Sequence, residues 1–203
     1  MLNPLPLILL PLTTAAAIPL SSLSTNATSL LQPWQITTLS THSPSGYPAN
    51  HPYSSLRFSI TDPNTITLGA THFGDAAFAP SQANCSVWWL GPTENPRDER
   101  WTSTCADAAP AMQGKWTFQV VGGSGGEGAQ NSVTTDFGLR VVLEEAVVLG
   151  TGGVVQLRFE GEAKFRRGGG VGKGGGRGES APVVVQQKLV EMRCVAGDCE
   201  EVV

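Results

Sequence analysis

Histidine is scarce in this sequence: three residues, His42, His51 and His72, serve a chain of 203. No Gly-x-Ser-x-Gly motif accompanies them, so no serine–histidine–acid set is marked out. Cysteine is limited to four positions, none with the two-residue spacing of a zinc knuckle, and all three histidines lie far from them in sequence. That argues against a metal centre. No segment reaches the ~20 apolar residues that a spanning helix needs. The glycines at 168–178 fail the phosphate-loop pattern, because Gly174 follows Lys173 where serine or threonine is required. Strand–helix alternation of the α/β kind is also missing. The sequence therefore implies no catalytic residue, no cofactor and no metal.

What is present points to a secreted protein. Residues 1–17 carry no charged side chain and run from an apolar stretch into Ala15-Ala16-Ala17, the pattern of a signal peptide cut after Ala17. The expected organisation is a signal peptide at 1–17, a loose mature N-terminus at 18–33 and one β-domain at 34–203. The mature chain is long enough for one domain with its own core. In an oxidising compartment four cysteines imply two disulfides. Of the three pairings, Cys85–Cys105 and Cys194–Cys199 are favoured because each is local. Asn26-Ala27-Thr28 and Asn84-Cys85-Ser86 are candidate glycosylation sequons at Asn26 and Asn84.

The net charge of −4 does not suggest a nucleic-acid binder. Five cations, Lys164, Arg166, Arg167, Lys173 and Arg177, share one glycine-rich stretch without an acid, which leaves −9 on the remainder. This stretch has a superficial likeness to glycine–arginine RNA-binding tails. A solvated loop at 166–180 joining two strands is the simpler account, and Arg166-Arg167 is a candidate dibasic processing site.

The chain is organised around Cys85 to Cys105, which bracket Trp88, Trp89 and Trp101, three of the five tryptophans. Glycine and proline cluster between them, as in two strands joined by a loop. Alternating segments at 34–40, 55–61 and 115–121 read as further strands, and 137–149 with 154–165 as a hairpin. Residues 181–194 form a closing strand, though their Gln, Lys, Leu and Glu also suit a helix. Phe73 to Ala83 reads as an irregular connection. Seven to nine short strands make the fold mainly β, a single antiparallel β-sandwich or β-barrel with two disulfides.

Neighbours on a strand face opposite ways, so one of Trp88 and Trp89 should be buried and the other exposed. Trp88, Trp89 and Trp101 are candidates to face a ligand, against the alternative that they pack in the core. Glu144/Glu145 and Asp98/Glu99 are likewise neighbours and cannot act as paired acids. Asp62, before Pro63-Asn64, reads as a turn residue.

Trp34-Gln35-Ile36-Thr37, Ser43-Pro44-Ser45-Gly46, Leu56 to Pro63, the Cys85…Cys105 loop, Phe137 to Val141 and the C-terminal cysteine pair together resemble small secreted proteins of filamentous fungi. The nearest named group is the Alternaria major-allergen-like β-barrel family. The glycine-rich basic insert and the close spacing of Cys194 and Cys199 depart from its pattern. The resemblance implies a β-barrel with two intrachain disulfides, no enzymatic activity and an effector-like role. The expected protein is secreted, extracellular and non-enzymatic, and it binds an outside protein, a glycan or a small apolar ligand. The alternative is a wall-acting hydrolase whose site assembles only in three dimensions.

Overall fold

A computed structural model describes residues 18–19, 30–44, 51–71, 74–90, 93–98, 101–107, 114–122, 134–166, 183–197 and 199. Thirteen strands follow in order: β1 (Ile18–Pro19), β2 (Trp34–His42), β3 (Tyr53–Asp62), β4 (Ile66–Thr71), β5 (Gly74–Phe78), β6 (Ser81–Leu90), β7 (Thr102–Thr104), β8 (Ala106–Asp107), β9 (Lys115–Gly122), β10 (Asp136–Val148), β11 (Val154–Arg166), β12 (Val183–Val185) and β13 (Gln187–Ala196). The described residues hold no helix long and apolar enough to cross a membrane. The closing segment is strand rather than helix, since its β-branched residues extend a sheet. Phe73 to Ala83 is more regular than its composition implies: β5 and the start of β6 occupy most of it.

Two five-stranded sheets form the wall, in the orders β13-β11-β10-β9-β7 and β12-β2-β3-β6-β8. Their edges are continuous. Only Cys105 separates β7 from β8, and only Gln186 separates β12 from β13, so at each point the chain passes from one sheet into the other. Counting each bent pair once gives eight strands, every one antiparallel to its sequence neighbour. The last returns to the first through Val183↔Ile36 and Val185↔Trp34. The topology is an up-and-down barrel flattened into two layers, joined at the corners by the short β12–β2, β6–β8 and β7–β9 pairings. β4 and β5, which lie between β3 and β6 in sequence, form a small separate sheet with β1.

Inward rows follow the period of two. β3 contributes Leu56, Phe58 and Ile60, β9 contributes Trp116, Phe118 and Val120, and β10 contributes Leu139, Val141 and Leu143, all buried. Across the barrel, Trp34 meets Trp116 edge-on at 4.9 Å between ring centres, and Phe58 meets Phe118 at 5.0 Å. An eight-stranded barrel is just wide enough for such side chains to fill it. Among the described residues these inward rows form one buried hydrophobic cluster.

Both disulfides pair as expected, Cys85–Cys105 and Cys194–Cys199. The first does not staple a hairpin, because β6 and β7 lie in different sheets. It instead pins the corner at which the chain changes sheet, beside the two-residue β6–β8 pairing of Ala83↔Asp107 and Asn84↔Ala106. Both its cysteines are buried. Replacing Cys85 and Cys105 together by alanine releases a loop of 20 positions, which should cost about 3 kcal/mol in the chain-entropy account. Urea titration against the parent measures it, and an unchanged midpoint would mean that the corner holds without the bond.

Candidate functional site

Of the three candidate tryptophans, one reaches the surface. Trp88 is 48% exposed, whereas Trp89 is 3% exposed and belongs to the core. Trp101 is half-buried and packs on that core. The doublet thus splits as strand alternation requires, and Trp89 is removed from the ligand-facing set by its parity.

Trp88 stands on the outward side of a rigid three-strand surface. The register aligns His42, Ser55 and Trp88 in one row, Ser40, Arg57 and Ser86 in the next, and Thr38, Ser59 and Asn84 in a third. The Arg57 guanidinium lies over the Trp88 ring, 5.1 Å from its centre, a cation–π geometry that holds both side chains. In the third row Thr38 Oγ1 donates to Ser59 Oγ at 2.9 Å, and Ser59 Oγ donates to Asn84 Oδ1 at 2.8 Å. Tyr53, 42% exposed, stands opposite Leu90 at the end of the surface, with the His51 ring 5.2 Å from its own. Asn84, the second sequon, shares this outward face. Neither His42 nor His51 hydrogen-bonds to a serine or a carboxylate among the described residues. His72, Asn26, residues 1–17 and Arg167 with the rest of the basic loop lie outside the described residues, and Arg166 is the last residue of β11.

The outward side of the other sheet is built differently. Arg158 pairs with Glu144 at 3.0 Å and with Glu160 at 3.1 Å, Arg140 with Glu162 at 3.9 Å, and Arg193 with Glu191 at 3.5 Å. A shallow cleft of about 640 Å³ lies there at the Gln186 corner, lined by Arg140, Glu160, Glu162 and Lys188 among others. Its charges balance one another. It reads as a solvated, ion-paired surface.

A second polar grouping lies inside the barrel and escaped the sequence reading. The inward row of β3 ends in Asp62 and that of β10 carries Glu145 just before the half-buried Val147, and the two carboxyls from facing sheets come close together in the interior. Both are buried. Burial pushes Glu145 up to about 8, and the nearby Asp62 charge adds to the rise. Burial also raises Asp62, opposed by its hydrogen bonds from the Asn64 backbone and side chain and by Trp34 and Gln187 beside it. Asp62 does serve its turn, accepting from Asn64 N at 2.9 Å, but it is far more buried than a turn residue should be. Residue 32 closes this end: Gln32 N donates to Asn64 Oδ1, and Gln32 O accepts from Asn64 Nδ2 and from Gln187 Nε2. The β4–β5 hairpin leaves and re-enters the wall at the same end, its Ile66 and Phe78 buried in the core. Trp34 Nε1, Trp116 Nε1, Ser81 Oγ and Gln187 Oε1 are buried without a partner in good hydrogen-bond geometry. The parity of Leu56-Phe58-Ile60-Asp62 and of Leu139-Val141-Leu143-Glu145 was the signal that could have found the pair. Both acids are buried under these segments, so their proton binding is linked to stability.

Comparison with protein-family models, with curated proteins and with solved structures finds no match.

Proposed function

We propose that this protein is a secreted, non-enzymatic, effector-like protein of a fungus that binds an extracellular protein or glycan through the outward face of β2, β3 and β6. The half-exposed Trp88 carries the reading. A large aromatic left at the surface and held by Arg57 is a contact residue at low ordering cost. Several other features support it. Residues 1–17 read as a signal peptide, and a cut after Ala17 would leave Ile18, the first residue of β1, at the new N-terminus. Two disulfides suit an oxidising compartment. A wall-acting hydrolase would need an open acid pair, and Asp62 and Glu145 are covered.

The test has two parts. Intact mass of protein recovered from culture medium should correspond to a chain beginning at Ile18, with or without N-glycan, that takes up four alkyl groups only after reduction. A full-length intracellular chain with free thiols would overturn secretion. Pull-down from wall glycans and host extracellular extract should lose its captured partner with Trp88→Ala and retain it with Val148→Ala, an exposed apolar control on the other sheet. Equal capture by both variants would remove the Trp88 face from the function.

A further inference from the structure

We infer that the Trp88 face takes an acidic oligosaccharide, a chain of hexuronate sugars whose pyranose faces stack on Trp88 and whose carboxylates pair with Arg57. This rests on the binding role proposed above and gives the ligand its chemistry. Charge is the first observation. No aspartate or glutamate occupies an outward position of β2, β3 or β6, although acids outnumber bases in the chain, 17 to 13. Arg57 makes no ion pair among the described residues, while Arg140, Arg158 and Arg193 on the opposite sheet all do. An exposed, uncompensated guanidinium is the group that recognises a carboxylate, through two parallel hydrogen bonds.

Shape and hydrogen bonding are the second observation. Exposed at 48%, Trp88 still has open ring surface for the apolar C–H side of a sugar after Arg57 has taken its place over the ring. Around the pair lie serines, threonines and Asn84 in cross-strand rows, with strands about 4.8 Å apart. These groups both donate and accept, as sugar hydroxyls do. The combination also separates candidate polyanions. A nucleic acid places a phosphate at every step and is held by several cations, whereas this face offers one arginine among hydroxyls. One cation beside one aromatic platform matches a polymer that carries a single carboxylate on each otherwise neutral ring.

Calorimetric titration of the purified mature protein with an oligogalacturonate, and with a neutral galactose oligomer of equal length, tests this. The acidic oligomer should bind at least tenfold more tightly than the neutral one, and added salt should weaken it. Arg57→Gln should erase the preference, Trp88→Ala should abolish binding of both, and Arg193→Gln on the opposite sheet should change neither. Circular dichroism confirms that each variant is folded. Equal binding of the two oligomers, abolished by Trp88→Ala, would overturn the acidic ligand while leaving the binding role intact. Binding of neither oligomer would also overturn it, and the extract pull-down then judges the binding role separately.

Discussion

Lowering the pH from 8 to 5 should stabilise this protein against urea, the reverse of ordinary acid denaturation. The unfolded chain carries Glu145 near its ordinary value of 4.5, and the folded barrel holds it at about 8. Between those values the folded state binds a proton that the unfolded state does not. The Glu145 contribution to stability is therefore fully present below 4.5 and is lost as the pH rises to 8, by up to about 1.4 kcal/mol per pH unit. Over the whole window that is of order 5 kcal/mol. Asp62, also raised by burial, acts in the same direction. Glu145→Gln keeps the shape without the charge. It should raise the urea midpoint at pH 8 and reduce its dependence on pH, leaving the Asp62 contribution in the same direction. A parent midpoint that rises from pH 5 to 8 would show that Glu145 is not held protonated.

Trp34→Ala should be the most damaging single truncation in the barrel. The ring is fully buried, stacks edge-on against Trp116, and sits where β12 closes onto β2. Its Cζ3 also lies 3.1 Å from where a Cβ on Gly161 would stand, so the glycine makes room for it. Deleting so large a side chain from a packed site costs about 3–5 kcal/mol. Trp34→Phe keeps most of the ring and removes Nε1, which has no partner in good geometry but helps hold down the pKa of the nearby Asp62, so it should cost less than the alanine. Circular dichroism in urea reads both without relying on tryptophan fluorescence. A loss below about 1 kcal/mol for Trp34→Ala would mean that the end of the barrel collapses around the gap.

Most of the wall was legible because its segments alternate cleanly and end on turn residues. β3 runs Leu56, Phe58, Ile60 on one face and Arg57, Ser59 on the other, so pattern and structure agree. The β10–β11 hairpin was visible for the same reason, with glycines between two alternating runs. Two things were hidden. Single residues, Cys105 and Gln186, carry the chain from sheet to sheet, and no local pattern distinguishes such a corner from a loop or from an uninterrupted strand. The acid pair was missed because Asp62 was judged by the Pro63-Asn64 that follows it and Glu145 by its neighbour Glu144. Continuing each strand's own parity by one step places both inside. On the surface, the sequence predicted that one of Trp88 and Trp89 would be exposed but not which, since that depends on which face meets the other sheet. Arg57 could be placed opposite its neighbours only once the register of β3 and β6 was known.

The way the barrel shuts has a consequence for how it is made. All but one of the wall's joints link strands that are neighbours in sequence. The remaining joint brings β12 to β2 and lets Gln187 reach Gln32 across 155 positions. Nearby pairings form early and distant ones late, because a long loop must close before its contacts return anything. The growing chain should therefore exist first as a curling ribbon. The first wall strand waits with a bare hydrogen-bonding edge until the final stretch of polypeptide emerges. Ribbons with one unsatisfied edge can add a strand from another molecule. For this protein the hazard of misassembly is concentrated in the interval before β12 emerges, and chains cut short of Val183 would be the ones to exchange strands.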